Sequence, residues 1–168
     1  MTIIDRISVK LGLIAAVLLF LTGVFLTWEV VARYALNLPT KWASELSELF
    51  LLWGVFLGLG RTVHFRENIT IEVAYDRLAP AKQRFVDLLS LTFVLLFFAF
   101  VARYGFELAW DSVSRGTTTG TMVDIPSWWE EAAVPVGCTW AAIQTLVEIT
   151  RAATGRGWTA MVGHGKDV

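Results

Sequence analysis

From Leu11 to Trp28 the sequence runs for 18 residues without a single charge. As an α-helix this run spans about 27 Å, close to the roughly 30 Å hydrocarbon core of a bilayer. A cleaved signal peptide is the competing reading, because Arg6 and Lys10 precede the run. The run is long for a signal core and no small-x-small cleavage site follows it, which favours a retained membrane helix.

Three further segments share this character. Trp42 to Gly60 is apolar apart from Glu45 and Glu48, Leu88 to Ala102 carries no charge, and neither does Ala132 to Val147. Each reaches spanning length if flanking tryptophan, arginine and glutamate sit at headgroup depth. Composition agrees: only 17% of residues are charged, against about 25% in soluble domains. The expectation is an all-α integral membrane protein with four transmembrane helices, at roughly 10–33, 42–62, 84–111 and 127–152. These form one domain over residues 1–155, followed by a mobile cytoplasmic tail over 156–168.

Charge sets the expected orientation. Ten of the 14 basic residues fall in the N-terminal segment, the second connection and the tail; only Arg33, Lys41, Arg103 and Arg115 fall on the other side. The positive-inside rule therefore predicts both termini in the cytoplasm. Trp28, Trp42, Trp110, Trp128 and Trp129 all lie at predicted outer helix ends, as an aromatic belt requires. In the second connection, NITIEVAYDRLAPAKQRF alternates apolar residues as a strand would. A lone strand has no partner, so a short interfacial helix between helices 2 and 3 is expected.

Two stretches concentrate functional residue types. In DIPSWWEEAAVPVGCTW, Ser127 and Glu130 have capping-box spacing. Trp128 and Trp129 are placed to anchor the turn at the outer headgroups, Glu130 and Glu131 complement the helix dipole, and Pro126 stiffens the lead-in. Pro135 removes a hydrogen bond inside the helix and predicts a kink. The stretch reads as an anchored helix start, or as an outward docking surface for a second protein. In the second helix, Glu45 and Glu48 share one face. They can reach the headgroups, or meet a basic residue of a partner, or relay an ion; the last would need more oxygen ligands than two carboxylates supply. Gly54-x-x-x-Gly58 permits close helix approach.

Other chemistry finds no support. The net charge of −1 gives no basis for nucleic-acid binding. Cys138 is the only cysteine, which rules out an internal disulfide and a cysteine metal cluster. There is no P-loop, no GxSxG and no metal-ligand spacing. The two histidines, His64 and His164, are expected outside the bilayer, which leaves haem without axial ligands. No cofactor, metal or catalytic residue is expected. A membrane-anchor subunit of a redox complex and a self-contained small channel remain open readings for such a chain.

Three blocks carry a family resemblance: Trp42-x-x-Glu45 with the aromatic helix ending at Gly58, ENITIEVAYDRLAP, and VDIPSWWEEAAVPVG. Together they resemble the small, DctQ-like membrane subunit of tripartite ATP-independent periplasmic (TRAP) transporters, over about residues 10 to 155. Asn68, where a histidine is frequent, and Ala79, between leucine and proline, depart from the pattern. The resemblance implies a bacterial inner-membrane protein, bound to a large membrane subunit that carries sodium-coupled organic acid uptake. A periplasmic binding protein would deliver the substrate. Trp42, Glu45, Glu48, Gly54 and Gly58 are the expected contacts with the large subunit. Pro126, Trp128, Trp129, Glu130, Glu131 and Pro135 are expected to anchor the outer interface in lipid or meet the binding protein.

Overall fold

The computed structural model describes residues 2–38, 40–65, 80–121 and 123–154. Its elements are α1 (Ile3–Ala35), α2 (Lys41–Phe65), α3 (Pro80–Arg115), the short α4 (Trp128–Glu131) and α5 (Ala133–Thr154). Among the described residues, four helical stretches are long and apolar enough to cross a membrane, the last formed by α4 and α5 together. The interfacial helix expected between helices 2 and 3 falls mostly on residues 66–79, outside the described residues, as does the tail.

α1 begins eight residues earlier than its uncharged run suggests, because its start is capped. Thr2 accepts from the Asp5 amide at 3.4 Å, and Asp5 Oδ2 accepts from the Thr2 amide at 2.6 Å. This reciprocal pair satisfies two amides that a helix start leaves open. At its far end α1 turns into α2 through Asn37, which adopts a left-handed φ of 53°. Glu29 closes this corner: its Oε2 accepts from the Thr40 amide at 2.9 Å and from the Thr40 hydroxyl, while Oε1 accepts from Arg33.

The four long helices stand in a row rather than a closed ring. α1 packs on α2, α2 on α5, and α5 on α3. The buried positions of α1 are Asp5, Ser8, Gly12, Ala15, Thr22, Glu29 and Ala32. Most of them recur at alternating three- and four-residue steps, a single stripe facing one neighbour. α5 stands inside the row and buries more of its surface, including Pro135, Gly137, Cys138, Ala141, Gln144, Thr145 and Glu148. On α3 only Phe98 and Ser112 are buried among the described residues. Its Phe85, Leu89, Phe93, Phe97 and Phe100 face outward. Such an apolar exterior suits lipid or another membrane helix.

Small residues set the helix spacing, since lipid supplies no hydrophobic drive between helices. A Cβ on Gly54 would meet the Leu19 side chain at 2.9 Å and the Ala15 carbonyl at 3.3 Å. Gly54 and Gly58 thus bring α2 against α1 within the chain. A close approach to backbone lies elsewhere: a Cβ on Gly137 would come within 2.6 Å of the Phe56 carbonyl carbon. α5 and α2 touch there nearly backbone to backbone.

Candidate functional site

The sequence-predicted residues gather at the end of the molecule that carries the α1–α2 corner and α4. Ser127 does not cap α4. Its backbone is already helical (φ −57°, ψ −30°) and its hydroxyl makes no capping bond. A capping side chain needs extended backbone to reach back to the third amide. The Ser127 carbonyl instead accepts from the amides of Glu130 and Glu131 at 3.1 and 3.2 Å. Pro126 lies in the preceding loop, bridged to Thr118, and its carbonyl accepts from the Trp129 amide at 3.0 Å.

The helix breaks at Ala132, between α4 and α5, three residues before Pro135. The Pro135 ring removes one donor from the ladder at this point, while Ala132 itself keeps helical geometry (φ −64°, ψ −23°). Pro135 is buried against α3, where a Cβ on Gly105 would lie 3.1 Å from the proline ring. α4 touches α2, where Trp53 Nε1 donates to the Trp129 carbonyl at 2.9 Å. Trp128 and Trp129 stay largely exposed, their rings edge to face at 5.8 Å.

This contact assembles an acidic patch. The charges of Glu45, Glu48 and Glu131 all bear on Glu130, although α2 and α4 are far apart in sequence. Glu48 is exposed and Glu45 half-buried. Glu45 Oε2 and Glu131 Oε2 are shielded from solvent and accept no hydrogen bond among the described residues. Beside them runs an apolar groove of about 400 Å³, lined by Leu18, Leu49, Phe50, Trp53, Trp128 and Trp129. Trp42 lies on the same helix as Glu45, half-exposed, with its ring edge on Phe25 at 6.0 Å. Trp42, Glu45, Glu48, Trp128, Trp129, Glu130 and Glu131 therefore belong to one end of the molecule. Gly54 and Gly58 sit deeper, turned toward α1.

A second polar cluster at the opposite end was not anticipated. Asp5 on α1, His64 on α2 and Gln144, Glu148 and Arg151 on α5 converge there. His64, expected outside the helices, is helical because α2 runs on to Phe65. Its Nδ1 is 3.4 Å from Asp5 Oδ1 and 3.5 Å from Glu148 Oε1. Arg151 donates to Glu148 Oε1 at 2.6 Å and to Asp5 Oδ2. Ser8 donates to Gln144 Oε1 at 2.8 Å and accepts from Trp140 Nε1 at 2.9 Å. One signal was available: Asp5, Gln144 and Glu148 interrupt apolar helical patterns, and such interruptions are costly unless partnered.

Comparison with known proteins agrees with this architecture. Residues 22–155 match the family model described as tripartite ATP-independent periplasmic transporters, DctQ component. The sialic acid TRAP transporter small permease protein SiaQ of Vibrio cholerae is 27% identical over 125 residues, which cover 74% of this chain and 70% of that protein. The chain is a multi-pass membrane protein and belongs to the DctQ component family of tripartite ATP-independent periplasmic transporters.

Proposed function

We propose that this chain is a non-catalytic scaffold for the large membrane subunit of a TRAP transporter in the bacterial inner membrane. In this reading the large subunit moves an organic acid by sodium-coupled symport, and a periplasmic binding protein delivers it. Both termini face the cytoplasm, in keeping with the distribution of basic residues, so α4 and the acidic patch face the periplasm.

The observation that carries this reading is the pair of shielded, unpartnered carboxylate oxygens on Glu45 and Glu131. A buried acceptor without a partner is costly. An arginine or lysine from the large subunit would supply the missing donors and opposite charge. Its apolar flank would fill the groove beside Trp53, Trp128 and Trp129. Trp42, Glu45 and Glu48 contact the large subunit directly, and Gly54 and Gly58 act beneath them by seating α2 on α1. Pro126 and Pro135 flank the segment that presents Trp128, Trp129, Glu130 and Glu131 to the outer headgroups and to the binding protein.

The test is to make the double variant Glu45→Ala, Glu48→Ala together with the large subunit and solubilise mildly. Loss of co-purification and of uptake supports the contact. Normal co-purification and normal uptake remove these carboxylates from the interface.

A further inference from the structure

We propose that the buried cluster of Asp5, His64, Gln144 and Glu148 is a tetrahedral binding site for a divalent transition-metal ion of the Zn²⁺ type. The inference is independent of the partner surface, which lies at the other end of the helices.

The argument is geometric. A tetrahedral ion with ligands at about 2.0–2.2 Å places those ligands about 3.3–3.6 Å from one another. His64 Nδ1 lies 3.4 Å from Asp5 Oδ1 and 3.5 Å from Glu148 Oε1. The Gln144 side-chain amide lies 3.2 Å from Asp5 Oδ1, 3.4 Å from Glu148 Oε1 and 3.4 Å from His64 Nδ1. The Asp5, His64 and Glu148 ligand atoms all fall within 4.8 Å of one another. Four of these five edges match the spacing that zinc imposes and the fifth, from Gln144 Nε2 to Asp5 Oδ1, is slightly shorter, with one imidazole and two carboxylates among the corners.

The surroundings fit as well. Asp5 and Glu148 are buried and His64 nearly so, which keeps competing water away. Arg151 holds both carboxylates from outside the tetrahedron. The ion and two carboxylates together are neutral, so the surplus positive charge stays on Arg151, whose side chain is 23% exposed. The Gln144 amide turns its oxygen inward when the ion binds. Ser8, now donating to that oxygen, accepts from the amide nitrogen instead, since a hydroxyl has two acceptor lone pairs. Bound this way, the ion ties α1, α2 and α5 together at one end.

The experiment uses the full chain, purified in mild detergent with any subunit that accompanies it. It is stripped with a chelator and titrated with Zn²⁺ alone. One ion per chain is expected, with binding abolished in His64→Ala and retained in His164→Ala. Ser8→Ala, which reaches the ion only through Gln144, weakens binding roughly 10–100-fold. Co²⁺ in the unaltered chain should give the intense visible absorption of a tetrahedral site, a readout independent of how the variants fold. No Zn²⁺ uptake, binding that survives His64→Ala, or the weak absorption of an octahedral Co²⁺ ion would each overturn the proposal.

Discussion

Arg151 on α5 donates to the carboxylate of Asp5 on α1, joining two residues 146 positions apart. The contact places the start of the first helix and the end of the last at the same end of the molecule. Near this end Ser8 also bonds Gln144 and Trp140, whereas along most of the row α2 stands between α1 and α5. The pair therefore closes the row at one end only.

Removing the guanidinium leaves a buried carboxylate without its strongest donor. Arg151→Ala is expected to destabilise the chain by about 3 kcal/mol, the lower end for breaking a buried pair because Arg151 keeps some exposure. Asp5→Asn combined with Arg151→Gln should recover part of that loss. Thermal unfolding in detergent, followed by circular dichroism, measures both. A double-variant loss equal to the sum of the Asp5→Asn and Arg151→Gln losses would show that the pair is not coupled.

Gly137 offers a sharper packing test. A Cβ there would lie within 2.6 Å of the Phe56 backbone, which cannot retreat as a side-chain tip can. Gly137→Ala should cost about 1–3 kcal/mol through overpacking. Gly23→Ala, where nothing lies within 4 Å, is the control and should be neutral or slightly stabilising. The two melting temperatures decide the matter.

The Glu29 corner gives a third prediction. Glu29→Ala removes the acceptor for the Thr40 amide and hydroxyl, in effect a cap at the start of α2. A loss of about 0.5–2 kcal/mol is expected, as for other caps. Amide exchange should quicken at the start of α2 and leave the middle of α5 unchanged.

The acidic patch should behave in the opposite sense when the chain is alone. Glu131→Gln removes like-charge repulsion and an unpartnered carboxylate oxygen. The melting temperature of the isolated chain should rise by about 2–4 °C, as a gain of about 1 kcal/mol would give. Co-purification with the large subunit should fall. A site kept for a partner shows this opposition between stability and binding, and a purely structural carboxylate does not.

The spans were legible in the sequence because each depends on local composition: long uncharged runs and the tryptophans and arginines that flank them. The break before Pro135 was legible for the same reason, since one ring removes one donor. The Arg103–Glu107 pair, at 2.5 Å, follows from helical spacing alone. What was hidden depends on which helix stands beside which. Asp5, His64 and Glu148 lie on three helices and become neighbours only through the row order. Gly54 and Gly58 announced a close approach without naming α1 as its object. Gly137, which lies against the Phe56 backbone, sits in no recognised spacing. Ser127 had the right letters for a cap, yet the turn after Pro126 already holds it in helical geometry, where its hydroxyl cannot reach back.

The most direct test of the scaffold role is site-specific photocrosslinking in cells that produce the large subunit. A photoreactive residue at position 48, which is exposed beside the acidic patch, should form an adduct of the combined mass of the two subunits. The same residue at position 116, in the loop after α3 where an added Cβ meets nothing within 4 Å, should form far less. An adduct at 116 but none at 48, or no adduct with the large subunit from any face of the row, would contradict the account.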